Sequence, residues 1–209
     1  MYLYSRRRRL NPAQARKAAA FAAETGKRAA GICGLEISVW ATTMSADSGM
    51  ISWSTMVEHL TDLETAMDKL AADGSFNDFI EQNDGLFVGP LADTLAQVVS
   101  GAPDPTAARP AYASVVQATC ANGHVAAGMA GGVEIADMAA RVGGLPTTFL
   151  ASTTGEYGGV AWITTAPDLA ALEAAEAKVN SDAGFVALAD RVSPAYLPHA
   201  GNTMYRPIG

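Results

Sequence analysis

The sequence predicts an α+β fold made of two tandem copies of one βαββαβ unit, and two observations carry the prediction. First, sliding the 209-residue chain against itself by 109 positions brings residues of the same kind together without a gap, as where Trp53 falls on Trp162. Second, each copy contains segments with an apolar residue at every second position, typical of strands, and Ala-rich segments typical of helices. The predicted domains are 1–100 and 110–209, joined at 101–109 by a linker rich in Pro, Gly and Ala.

The elements of copy one follow from local signals. Asn11 and Pro12 are typical of a helix start, and the period-two pattern after Leu35 indicates a half-buried strand. Thr61 and Glu64 have the spacing of a capping box at the start of a second helix. We predict strands at 2–9, 35–42, 50–57 and from about 85, with helices over 12–30 and from 61.

Copy two repeats the order of elements, so each copy is a ferredoxin-like split βαβ unit. The gapless match pairs Gly34 with Gly143 and Trp40 with Phe149. The glycines at 128, 131 and 132 lower helix propensity, and we expect them to allow close packing of the helix on the sheet. We predict strands at 112–118, 145–152, 159–165 and near 195–197, with helices over about 124–141 and from 167.

Composition narrows the class of protein. Hydrophobic residues make up 49% and charged residues 17%, which suits a folded domain, and a formal net charge of −7 disfavours nucleic-acid binding. No apolar run is long enough to cross a bilayer, and no apolar segment of a signal peptide follows the N-terminal arginines. The two cysteines lack metal-type spacing and suit a reducing compartment. We therefore expect a cytoplasmic protein without a membrane segment.

Two local patterns resemble the dimeric α/β-barrel superfamily, which includes antibiotic-biosynthesis monooxygenase-like, NIPSNAP-like and EthD-like proteins. They are Ile51-Ser-Trp-Ser-Thr followed by Leu60-Thr-Asp-Leu-Glu, and Val160-Ala-Trp-Ile-Thr followed by Asp168-Leu-Ala-Ala-Leu. The resemblance implies two four-stranded sheets forming an intrachain barrel with the helices outside. The same fold hosts unrelated activities, so the resemblance says little about the reaction.

Aromatic residues are the first candidates for a ligand site. The predicted second strand places Ser38 and Trp40 on one face, with Val39 on the face turned toward the helices. A mixed polar and aromatic face suits a small-molecule cavity. Trp53, Trp162 and Phe149 are the other candidate ligand-binding aromatics, and packing in the core is the alternative role for all of them.

Charged and ionisable residues give a second set of candidates. His199 and His59 are the candidate general bases, with a surface or capping role as the alternative. Strand alternation aims Arg6 and Arg8 to one side together with Tyr2 and Tyr4. The two arginines form a local anion site, an interface to an acidic partner or a solvated strand end. No clustered ligand set for a metal is present in the sequence. We expect no cofactor; haem, known from chlorite-dismutase-like relatives, is the alternative.

Two functions remain open at this stage. One is a cofactor-independent monooxygenase-like or isomerase-like enzyme acting on a small hydrophobic or aromatic molecule. The other is a non-catalytic module that binds a ligand or builds an assembly, including a homodimer. The polar face around Trp40 favours the enzyme, and the lack of a paired acid and base in the sequence favours the module.

Overall fold

The computed structural model describes residues 1–104 and 106–209, and its elements repeat one order twice. The strands are β1 (Tyr2–Leu10), β2 (Ser38–Thr43), β3 (Met50–Val57), β4 (Phe87–Ser100), β5 (Tyr112–Thr119), β6 (Thr147–Ser152), β7 (Gly159–Ala166) and β8 (Gly201–Pro207). The helices are α1 (Ala15–Cys33), α2 (Leu60–Ala72), α3 (Gly74–Glu81), α4 (Val125–Gly143), α5 (Leu169–Ser181) and α6 (Ala183–Val192). Short 3₁₀ turns lie at Pro12–Gln14, Asp84–Leu86 and Ser193–Ala195.

Hydrogen bonds link the strands in the order β1-β3-β2-β8-β5-β7-β6-β4, which closes as a barrel. The predicted α+β class with tandem ferredoxin-like units is thereby confirmed. The chain divides into unit 1, residues 1–95 with 206–209, and unit 2, residues 96–205. The domain limits at 100 and 110 remain a prediction, and Pro105 of the predicted linker lies outside the described residues.

Helix ends follow local chemistry, with one correction. The Asn11 side chain accepts a hydrogen bond from the Ala13 N–H, as expected for an N-cap. The predicted capping box at Thr61 is wrong, because α2 begins one residue earlier. Its N-cap is His59, whose backbone N–H donates to the Asp62 carboxylate at 3.1 Å.

The last predicted strand, near 195–197, is also wrong. Those residues close a 3₁₀ turn that contains Pro194, and Tyr196 makes only an isolated bridge to Cys120. Proline lacks the N–H that a strand ladder needs, so Pro194 and Pro198 interrupt pairing on both sides. The strand forms later, as β8.

The two units do not match without a gap. The left-handed cap of α1 is Gly34, but that of α4 is Gly144 rather than Gly143. In the sheets, Val39 pairs with Trp53 and Phe149 pairs with Trp162. Phe149 is therefore the counterpart of Val39 and not of Trp40.

Hairpin length explains this difference. Ala41 pairs with Ile51 across the β2–β3 hairpin, whereas Ala151 pairs with Val160 across the β6–β7 hairpin. The second hairpin is thus one residue shorter, and elements before it match at a spacing of 110 rather than 109. Because side chains alternate along a strand, a sequence alignment that is wrong by one residue assigns each side chain to the opposite face of the sheet.

Each unit has its own core between the helices and one sheet face. The core of unit 1 contains Ala18 and Ala22 of α1 against Ile51 and Val39. The core of unit 2 is made by aromatic and small residues, with Phe149 fully buried. The predicted close packing of α4 is confirmed, because a Cβ at Gly132 would overlap the Phe149 ring.

Candidate functional site

Unit 1 contains a cavity of about 700 Å³ between its three helices and the helix-facing side of its sheet. This volume lies in the range of ligand-binding pockets. Strands β1, β3 and β4 supply a floor that is polar at one end, and the helices supply apolar walls. Its lining includes polar and aromatic side chains from both layers: Tyr4, Arg6, Arg8, Phe21, Trp53, Thr55, Leu63 and Phe87.

Strand pairing explains how the polar floor is assembled. Tyr4, Arg6 and Arg8 alternate along β1 and so point to the same side. Arg6 pairs with Trp53 and Tyr4 pairs with Thr55 of β3, which places these five side chains on the helix-facing side of the sheet.

Arg6 is held by an acidic partner. Its guanidinium donates two hydrogen bonds to the Asp93 carboxylate, at 2.9 and 2.8 Å. The hydrogen bond from Arg6 lowers the pKa of Asp93. Both side chains are about two-fifths exposed, so the pair contributes little to stability. Its effect is to fix the position of Arg6 at the rim of the cavity.

Arg8 lies deeper. Its side chain is 19% exposed, its Nη1 donates to Asp84 at 2.6 Å, and its guanidinium carbon lies 5.1 Å from the centre of the Phe87 ring. Its Nε is buried and makes no hydrogen bond within the described residues. A buried N–H on a charged group is costly to leave unpaired, so a ligand oxygen at this position would be favoured.

Two buried hydroxyl groups also lie at the floor, those of Thr55 and Tyr4. The Tyr4 hydroxyl faces the Asp93 carboxylate beside Arg6, whereas the Thr55 hydroxyl makes no hydrogen bond among the described residues. Thr55 is only 7% exposed. Its counterpart in unit 2, Thr164, shares a 3.0 Å hydrogen bond with Thr147. The threonine hydroxyl at this strand position thus has a hydrogen-bond partner in unit 2, where a second hydroxyl is adjacent. In unit 1, where the residue borders the cavity, the hydroxyl has no partner among the described residues.

The apolar wall is an aromatic cluster. Phe21 lies 4.7 Å from Phe79 and 5.9 Å from Phe87, measured between ring centres, and Trp53 meets Phe87 edge-on at 5.7 Å. The Trp53 indole N–H donates to the Ala22 carbonyl at 2.9 Å, which fixes the ring against α1. Edge-to-face aromatic contacts of this kind suit a planar ring as ligand.

The Tyr4 hydroxyl is expected to lose its proton at a higher pH than the hydroxyl of an exposed tyrosine. Burial raises its pKa to about 12, although Arg6 opposes the shift. The unfolded chain would lose this proton near pH 10, so the contribution of Tyr4 to stability is complete below pH 10 and is lost as the pH rises to 12. Absorbance titration at 295 nm of the wild type and Tyr4→Phe should show one late transition fewer in the variant. Identical high-pH curves would contradict this assignment.

The structure separates the predicted aromatic residues. Trp53 lines the cavity, whereas Trp40 and Ser38 lie on the opposite sheet face, where the Trp40 indole donates to the Ser54 hydroxyl at 3.1 Å. Trp162 and Phe149 lie in the core of unit 2, with ring centres 5.3 Å apart. The predicted face of Phe149 is wrong, because the residue turns toward α4.

The predicted ionisable residues also divide. Arg6 and Arg8 lie together at the cavity, as strand alternation indicates. His59 and His199 are exposed, and His59 caps α2. Sequence reasoning missed Thr55 and Asp84 as cavity residues. Period-two alternation with Trp53 was a signal available for Thr55, whereas the ion pair between Arg8 and Asp84 spans 76 positions and leaves no local signal.

The residues present do not fit haem. A haem iron needs an axial ligand that faces a cavity. His124 stands at the exposed N-cap position of α4 and His199 is exposed, and the core of unit 2 is filled by Phe149 and Trp162. Among the described residues, no group of three or more His, Cys, Asp or Glu is placed to hold a metal ion. In the same part of the chain, no helix has the length and apolar character to cross a membrane.

Comparison with known proteins bears on the fold. No protein-family model matches the chain, and no curated protein sequence matches it. A solved structure of a candidate monooxygenase from Fusobacterium nucleatum is similar, with TM-score 0.72 and 6% identity, over 100% of this chain and 92% of that one. An anthrone oxidase-like protein aligns with TM-score 0.65 and 14% identity over 100% and 91%. A candidate chlorite dismutase aligns with TM-score 0.56 and 12% identity over 100% and 96%.

These likenesses extend over the whole chain, and the strand order agrees with them. At such low identity they establish the fold and leave the activity to the residues of the site. The chain has the fold of the dimeric α/β-barrel superfamily.

Proposed function

We propose that the cavity of unit 1 binds a small aromatic molecule that carries an acidic oxygen, and that the protein oxidises it without a cofactor. One observation carries the proposal: an apolar, aromatic-walled cavity has the guanidinium groups of Arg6 and Arg8 at its polar end, beside the buried Thr55 hydroxyl that makes no hydrogen bond among the described residues. Arg8 is poorly solvated, and an anionic oxygen on the ligand would be a favourable partner for its guanidinium.

Different residues of the cavity would contact the aromatic part and the oxygen of the ligand. The rings of Phe21, Trp53 and Phe87 would bury the aromatic part of the ligand. Arg8 and the Thr55 hydroxyl would face its oxygen. A positive charge in a poorly solvated site favours the anion, so a phenol or an enolisable ketone would lose its proton more easily there than in water.

Oxygen chemistry follows from such an anion. An electron-rich enolate gives electrons to dioxygen, so that one methylene carbon becomes a carbonyl while the second oxygen atom leaves as water. Substrate and O₂ supply all atoms and electrons in this balance. The fold neighbours described as a monooxygenase and as anthrone oxidase-like support this reaction class.

The second candidate function is a ligand-binding module without catalysis. It is favoured by the state of the carboxylates that contact the two cavity arginines, because Asp84 is paired with Arg8 and Asp93 with Arg6. A paired carboxylate is a poor proton acceptor. The two functions share the site and differ only in whether oxygen is consumed.

Arg8 offers the sharpest test of the shared site. We expect Arg8→Met to weaken binding of 2-naphthoate by about 10- to 100-fold, as for loss of a charged hydrogen bond, with little effect on naphthalene. Arg9→Met is the matched control, because Arg9 lies on the other sheet face beside Asp47. Calorimetric titration measures both, and equal affinities of wild type and Arg8→Met for 2-naphthoate would refute the proposed site.

Oxygen uptake separates the enzyme from the module. With anthrone as substrate, an oxygen electrode should record consumption that falls in Arg8→Met and persists in Arg9→Met. Binding of 2-naphthoate without oxygen uptake on anthrone would favour the module.

A further inference from the structure

Unit 2 has the same elements as unit 1 but different residues at the positions that make the cavity. The strand partners of Trp162 and Thr164 on β5 are Val116 and Ser114, where unit 1 has Arg6 and Tyr4 beside Trp53 and Thr55. Ala118 stands where unit 1 has Arg8. The polar floor is therefore absent from the corresponding surface of unit 2.

The space is also filled from the sheet side. Phe149 takes the position of Val39, is fully buried, and stacks on Trp162. Its ring lies on Gly132, whose carbonyl accepts the Trp162 indole N–H at 2.8 Å, as the Ala22 carbonyl does for Trp53. Glycine and phenylalanine in unit 2 thus replace the alanine and valine of unit 1 as a matched pair.

The helix side contributes as well. Gly131 packs on Val192, and a Cβ at that glycine would lie 2.8 Å from the valine side chain. By the spacing of α1 and α4, the counterpart of Gly131 is Phe21, which lines the cavity of unit 1. Small residues on α4 therefore let this helix pack closely on its neighbours. The larger Phe21 at the equivalent position of α1 leaves more space in unit 1.

We infer that each chain binds one ligand, in unit 1, because the Phe149 side chain permanently occupies the corresponding space of unit 2. This inference rests on the proposed function of unit 1. It also assigns unit 2 a latent cavity of different specificity. With the ring removed, the space is bounded by Val116, Ala118 and Trp162 and would take an uncharged apolar molecule.

Stoichiometry is the first test, and it needs no variant. Calorimetry with 2-naphthoate should give one site per wild-type chain. Two equivalent sites per chain would overturn the inference and leave the proposed function standing. No binding of 2-naphthoate or naphthalene to the wild type would overturn the proposed function together with the inference.

Exchanging the matched pairs is the second test. Ala22→Gly with Val39→Phe gives unit 1 the pair of unit 2 and should weaken 2-naphthoate binding at least 10-fold. Phe149→Ala removes a ring of the size of benzene, so it should add a second site for benzene and none for 2-naphthoate. Gly132→Ala with Phe149→Ala fills part of the vacated space, so it guards against loss of folding in the single variant. Unchanged naphthoate affinity in the first variant, or no added benzene site in folded forms of the others, would overturn the inference.

Discussion

Replacing Gly132 by alanine should destabilise the protein by about 2 kcal/mol. A Cβ at this position would overlap the ring of Phe149, which is fully buried and stacked on Trp162. Overpacking a filled core costs about 1–3 kcal/mol, which exceeds the gain of up to about 1 kcal/mol in helix propensity. Chemical denaturation should show a lower midpoint with an unchanged slope.

Two further variants make this prediction specific. Gly31→Ala is the control on α1, because a Cβ there meets nothing within 4 Å, and it should be neutral or stabilising by up to about 1 kcal/mol. Adding Phe149→Val to Gly132→Ala removes the overlap, so the two changes together should cost less than the sum of their separate effects. Strict additivity would show that the ring and the glycine are not coupled.

Leu172→Ala should destabilise the protein by about 3–4 kcal/mol, and Leu63→Ala should cost about 1 kcal/mol less. The two leucines are counterparts on α5 and α2, but Leu172 is 1% exposed in a filled core whereas Leu63 is 8% exposed and borders the cavity. A side chain that already faces empty space loses fewer packing contacts when it is shortened.

Thermal and chemical unfolding of the two leucine variants measure the difference directly. Ligand binding adds an independent readout, because Leu63→Ala enlarges the unit 1 cavity and should change naphthalene affinity, whereas Leu172→Ala should not. A larger stability loss for Leu63→Ala would mean that the cavity is closed in solution.

The order of elements was predictable because it depends on local patterns. The prediction placed β3 at its observed limits, 50–57, and the Asn11–Pro12 pair located the first helix start. Helix capping was less certain, because Thr61 and His59 both offer a plausible start within one turn. Homodimerisation and a cytoplasmic location remain predictions.

The site was predictable only in part, for a physical reason. Tyr4, Arg6 and Arg8 share a face by simple alternation, so their meeting at one site could be anticipated. Trp40 was predicted to line the cavity, and Thr55 lines it instead. A polar face on a strand does not reveal which face of the sheet borders a cavity. The role of Phe149 was misread because the gapless match hid a shorter hairpin.

The length of that hairpin has a consequence for how the two halves have diverged. Val39 and Phe149 keep the same pairing and both face the helices, so the missing residue is absorbed in the turn. An exposed turn can therefore lose a residue without changing which side chains of the preceding strand face the core. The two halves then differ at this position in side-chain size, valine against phenylalanine, and not in orientation.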